Sequence, residues 1–198
     1  MTSSVSGRAE GAQRLLDAAL TEIAAAPNGP GEVSLRAIAR RAGLSHNAAQ
    51  HHFGDRAGLF TAVATTGFVA LADRLEEAIS EADPRPGAAL RSSGRAYLEF
   101  GLAQPNLLDL MFRADLVHGD DPELGEAQQR AFGLLQRAVP AAEPGNGPSD
   151  LAMVAWAFIH GLVGLSRHGA LPTDPDQPST EQRLATAFAD LIIPMGAP

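Results

Sequence analysis

The chain has 198 residues, 45% of them hydrophobic, a formal net charge of −8 at neutral pH and no cysteine. That length and apolar content fit one compact protein of one or two small domains and exclude a disordered polyelectrolyte. The missing cysteines exclude a disulfide framework and any thiolate metal site.

The acidity is unevenly spread. Residues 1–53 hold five arginines (8, 14, 36, 40, 41) and four carboxylates (10, 17, 22, 32), leaving ten arginines against nineteen acids in the rest. All fifteen basic residues are arginine, whose planar fork suits bidentate contacts to phosphate or guanine. The first eight residues lack the apolar run of a signal peptide, so the expected compartment is the cytoplasm.

In chain order, residues 1–7 read as an arm. A first helix over 8–26 carries Leu16, Leu20 and Ile23 at helical spacing toward an interior. Pro27-Asn-Gly-Pro-Gly31 ends it. Ser34 is a good N-cap for a short helix with Leu35, Ile38, Ala39 and Ala42 on one face. Gly43 supplies the left-handed residue that stops that helix. Leu44 fills the corner, and Ser45 caps a second short helix from His46 to about His52. Apart from Ala49 and Phe53, this helix presents donors and acceptors: His46, Asn47, Gln50 and His51. Two short helices about a tight corner, the second polar on its outer side, form a helix-turn-helix suited to a nucleic-acid groove.

Arg36 to Ala42, Ala42-Gly-Leu-Ser45, His51-His-Phe53 and Gly54-Asp-Arg-Ala-Gly-Leu-Phe60 resemble the DNA-binding domain of TetR-family bacterial transcriptional regulators, over residues 8–71. The resemblance implies a double-stranded DNA operator as partner. Its candidate contacts are Arg36, Ser45, His46, Asn47, Gln50, His51 and Arg56, the last at a position where the family has a basic residue near the DNA backbone. Gln50 departs from the family's usual Tyr. A glutamine can bond either a phosphate or adenine's major-groove edge, which leaves the operator preference open.

Beyond the corner, Asp55 caps a long helix to about Ala82 with an apolar stripe of Leu59, Phe60, Val63, Ala64, Phe68, Leu71, Leu75 and Ile79. At 1.5 Å per residue it spans on the order of 40 Å. Further helices are expected over 87–103 (Leu90, Tyr97, Gly101), 106–113 after Pro105, and 122–139 (Leu124, Ala127, Leu134, Leu135, Ala138), followed by a Pro/Gly loop over 140–148. Residues 151–165 are uncharged and apolar nearly all round. They are too few for a membrane span, so they need cover on two faces. A capping-box pattern, Ser179-x-x-Gln182, opens a last helix with Leu184, Phe188, Leu191 and Ile192. The last two helices are candidates for a self-complementary four-helix interface between two copies, through Phe158, Gly161, Leu162, Leu165, Leu184, Phe188 and Leu191.

The run Trp156 to Gly161, with Gln104 to Phe112, is similar to a TetR subgroup whose C-terminal domain carries a Trp, His and Gly signature. Tyr97, Phe100, Met111, Phe112, Trp156 and His160 then read either as an apolar effector pocket with a few polar handles or as packed core. His51 and His52 point about 100° apart on a helix, so no metal site is expected, and no cofactor. There is no glycine-rich phosphate loop, no Gly-x-Ser-x-Gly and no carboxylate pair in an apolar setting, so an enzyme is not expected.

The expected architecture is all-α, with about nine helices. A three-helix DNA-binding domain (8–71, its helix-turn-helix at 34–53) precedes a ligand-binding and dimerisation bundle (83–198). The expected function is a homodimeric regulator that leaves the membrane aside, a repressor released from a palindromic operator by a small apolar effector. The alternatives are a nucleoid-associated or cell-division adaptor on the same fold, and a small helical enzyme using His160.

Overall fold

A computed structural model describes residues 2–139, 148–172, 176 and 178–192, with side chains over 9–139, 150–172, 176 and 178–187. Among these residues the chain is helical, without a strand. The helices are α1 (Thr2–Ala25), α2 (Leu35–Arg41), α3 (His46–Phe53), α4 (Arg56–Ser80), α5 (Ala88–Ala103), α6 (Pro105–Met111), α7 (Pro122–Ala138), α8 (Pro148–Arg167) and α9 (Thr180–Ile192), with a 3-10 turn at Pro30–Glu32. The loop expected over 140–148 falls outside the described residues except at its end, where Pro148 already begins α8.

The local punctuation acts as the residue types dictate. Ser34 accepts the Ala37 amide and Ser45 the Ala48 amide, each satisfying an orphan donor of a first turn. Gly43 sits at φ +66°, and the amides of Gly43 and Leu44 reach back to Arg40 and Ala39, a Schellman ending. The Arg14 guanidinium from α1 donates to the Ala42 carbonyl and would lie 3.0 Å from a Cβ at position 43, so a glycine there answers both backbone and space.

Two expectations for α1 are corrected. Residues 2–7 are helical rather than an arm, since no proline stops the helix from extending toward the N-terminus. Its buried side chains are Leu15, Ala18, Ala19 and Ile23, whereas Leu16 and Leu20 are only half-buried. Small alanines at 18 and 19 let α2, α3 and α6 approach, which turns the helix one residue from the leucine stripe.

The described residues of Met1–Phe68 and Gln104–Ala127 form one compact unit, and those of Val69–Ala103 and Gln128–Pro198 a second. Residues 104–127, expected in the C-terminal domain, thus pack with the N-terminal helices. Asn106 is one cause. Its side-chain amide donates to the carbonyls of Ile23 and Ala26 at 3.0 and 2.8 Å, capping the end of α1. Thr61 is another: buried in α4, its hydroxyl oxygen accepts the His118 amide at 2.8 Å.

In the second unit α5 packs against α8 and α9. Ala152, Ala155, Ile159, Leu162 and Val163 make the buried stripe of α8. Leu90, Val139, Ala152 and Ala155 cluster there, with Phe132 and Leu151 against them. Arg130 bridges Asp73 and Glu76 on the surface. One described helix, α4, is long and apolar enough to cross a membrane, but 56% of that stretch is buried inside the protein, as in a core helix.

Candidate functional site

α3 is held by its apolar minority. Ala49 is fully buried against the helices beneath it, and His52 lies over Gly11 of α1, whose Cβ would come within 2.9 Å of Nε2. The outer side chains Ser45, His46, Asn47, Gln50 and His51 are all exposed. The motif therefore folds as its spacing predicts, with a polar helix turned to solvent on an apolar seat.

The arginines divide by use. Arg41 pairs with Glu22 of α1, and Arg14 caps α2. Arg36 and Arg40, one turn apart on α2, are exposed, and neither makes a hydrogen bond or ion pair among the described residues. Arg40 was not among the candidates, although its spacing from Arg36 was a usable signal.

Arg56 is engaged inside the unit. Its guanidinium donates to the carbonyls of Pro30 and Gly31 at 3.2 and 2.7 Å and sits 4.6 Å from the Phe60 ring centre, while its buried Nε has no hydrogen-bond partner. Asp55 caps α4 by accepting the Gly58 amide at 2.7 Å. That bond, and then His118 at 3.3 Å, hold its carboxyl below the ordinary aspartate value.

Of the six candidate pocket residues, the structure brings together three. The Tyr97 hydroxyl is bonded to His160 Nδ1 and to Trp156 Nε1, and burial raises its pKa. Phe100 is fully buried, with Arg74 over its ring. Met111 and Phe112 belong to the other unit. Met111 is packed so closely on Gly67 that a Cβ there would meet Sδ at 2.7 Å, and Phe112 stacks edge-on to Phe68 at 5.3 Å. Both pack against α4 within that unit.

The outer face of α8 carries Val154, Ala157, Gly161 and Leu165, with Val154 54% and Leu165 50% exposed, and Leu184 of α9 is 40% exposed. Leu162, expected at an interface between copies, is instead 3% exposed in the protomer core. It falls about 100° around the helix from Gly161, on the covered side. Val154 and Ala157, not among the candidates, share this exposed face with Gly161. Phe158 is half-buried beside a small void lined by Leu90, Gly94, Leu135 and Ile159. The side chains of Phe188 and Leu191 lie outside the described residues.

A capped helix-turn-helix seated on a long first helix, followed by a helical bundle, defines an all-α DNA-binding regulator. The sequence comparisons agree: residues 15–63 match the model for "Bacterial regulatory proteins, tetR family", and residues 90–188 the model for "Tetracyclin repressor-like, C-terminal domain". The chain belongs to the TetR family. No curated protein matches it in sequence. Among solved structures, a protein of unknown function from Rhodococcus sp. RHA1 is 33% identical, with TM-score 0.77 over 92% of this chain and 93% of that one. The fatty acid degradation regulator FadR from Bacillus halodurans is 14% identical, with TM-score 0.67 over 92% and 94%. The TetR-like regulator LfrR from Mycobacterium smegmatis, solved with proflavine, is 22% identical, with TM-score 0.60 over 94% and 96%.

Proposed function

We propose that the chain is a cytoplasmic, homodimeric repressor that binds a palindromic operator and leaves it when a small, largely apolar effector binds. The observation that carries this is the exposed polar face of α3 above buried Ala49, with Arg36 and Arg40 on α2, which are unpaired among the described residues. Two such helices would enter successive major grooves about 34–36 Å apart.

The contact set is Arg36, Ser45, His46, Asn47, Gln50 and His51, with Arg40 as an added phosphate partner. Ser45 accepts an amide as a cap, yet its hydroxyl proton stays available for a phosphate. Arg56, whose guanidinium serves Pro30 and Gly31, is left out.

For the second copy, the apolar stripe of Val154, Ala157, Gly161 and Leu165, with Leu184, is an uncovered surface of the kind that marks an interface. A Cβ at Gly161 meets nothing within 4 Å, which leaves room for a partner helix. For the effector, the hydrogen-bonded Tyr97, Trp156 and His160 are the polar handles in an apolar bundle. The proflavine complex of LfrR supports a small-molecule effector. Release needs the effector to prefer the conformer that does not bind DNA, a coupling of about 1–3 kcal/mol.

The deciding experiment offers the purified protein a random duplex pool at low salt, with sedimentation in parallel. A dimer retaining a palindromic subset is expected. A monomer that retains no duplex would end this reading.

A further inference from the structure

We infer that the outward face of α3 reads adenine, so that the base pairs opposite Asn47 and Gln50 in each operator half-site are A·T. This rests on the DNA-binding reading above and names the bases which that reading leaves open.

The helix geometry sorts the side chains. At about 100° per residue, and measured from buried Ala49, Asn47 and His51 lie about 160° away on either side of the outward direction. Gln50 and Ala48 flank them at about 100°, while His46, His52 and Phe53 fall within about 60° of the seat. The seat-side positions are constrained: His52 covers Gly11, and the His52 and Phe53 rings are 6.3 Å apart. The surface farthest from the seat, in order around the helix, is therefore Gln50, Asn47, His51 and Ala48, with exposed His46 at the first turn. Asn47 and Gln50 are about 60° apart and one turn along, fit to address neighbouring base pairs.

Chemistry then selects the base. A carboxamide holds one acceptor and a donor pair in a single plane. Adenine presents N7 as acceptor and N6 as donor in the major groove, so an amide matches both at once. Guanine presents two acceptors, N7 and O6, and asks for the double donor of an arginine or lysine. α3 contains neither: its sequence is His-Asn-Ala-Ala-Gln-His-His-Phe. Arg36 and Arg40, which make no hydrogen bond or ion pair among the described residues, are on α2. The half-buried Ala48, on the far side of His51 from the amides, adds a methyl to the same face, the group that meets a thymine methyl. Both amides are exposed and make no hydrogen bond among the described residues, so neither has to break an internal bond to reach a base.

The test is selection of duplexes from a random pool by the full-length protein, repeated with Asn47→Ala and with Gln50→Ala. The wild type is expected to enrich adenine at two nearby positions in each half-site. Each variant is expected to lose the preference at one of them, by about tenfold, with the other positions and the melting temperature unchanged. Guanine at the positions released by the variants would overturn the assignment. So would a variant that weakens every duplex equally, since that marks a phosphate contact; DNA binding itself would stand in both cases. Retention of no duplex by the wild type would overturn the parent reading, and this one with it.

Discussion

The Tyr97 hydroxyl lies 2.8 Å from Nδ1 of His160, and the Trp156 indole approaches the same oxygen at 3.3 Å. An indole can only donate, so the phenol oxygen accepts from Trp156, while its bond to His160 takes its direction from the imidazole tautomer. One buried oxygen orders two rings.

Tyr97→Phe removes that oxygen, and with it the hydrogen bonds to Trp156 and His160, in a partly buried place. The expected cost is about 1–3 kcal/mol in urea unfolding. A variant as stable as the wild type would show that water replaces the phenol.

Burial raises the Tyr97 pKa well above its ordinary value of 10.0. The unfolded chain then releases this proton before the folded one does, so the stability from the neutral phenol is complete below about pH 10 and falls as pH rises beyond it. Tyr97 is the sole tyrosine, and the chain has no lysine or cysteine. Phenolate absorbance should therefore appear with alkaline unfolding and not before it; a phenolate signal from folded protein near pH 10 would contradict the burial.

Asp55 gives the opposite limb. Its carboxyl is held low first by the Gly58 amide and then by His118, so its contribution is present above the ordinary value of 3.8 and is lost as pH falls through the folded value. Asp55→Ala should cost about 1 kcal/mol near neutral pH, and the deficit should shrink in acid. Asp55→Asn, still a good cap, should recover most of the loss. Chevron-free equilibrium urea titrations at both pH values suffice, and a deficit constant with pH would remove the carboxylate from the explanation.

Leu162→Glu and Val154→Glu separate core from surface. Charge at the buried leucine should unfold the second unit or lower its melting temperature steeply, because an unpaired carboxylate cannot be solvated there. The same charge at exposed Val154 should leave the fold intact and give monomers in sedimentation. A folded dimer of the Val154 variant would move the interface elsewhere.

Arg56→Ala should lower the melting temperature by removing the tie to Pro30 and Gly31, at about 1–2 kcal/mol. The salt slope of DNA binding should stay as it was. A shallower slope would return Arg56 to the phosphate contacts.

Local chemistry in the sequence was enough for the caps at Ser34, Ser45 and Asp55, the left-handed Gly43, the helical class and the polar surface of α3. Each depends on residues within one turn of each other, and that reach is written in the spacing. Tertiary structure alone decided which face of each helix is covered and which charge is already engaged. Helical periodicity groups residues into stripes without saying what packs on them, so Leu15 replaced Leu16, Leu162 turned inward and Val154 outward. Asn106 drew α6 onto the end of α1 across some eighty positions of chain, and Arg56 turned to two carbonyls on a distant turn. Those partners are neighbours only after folding, because a hydrogen bond is chosen by distance in space and not by separation along the chain.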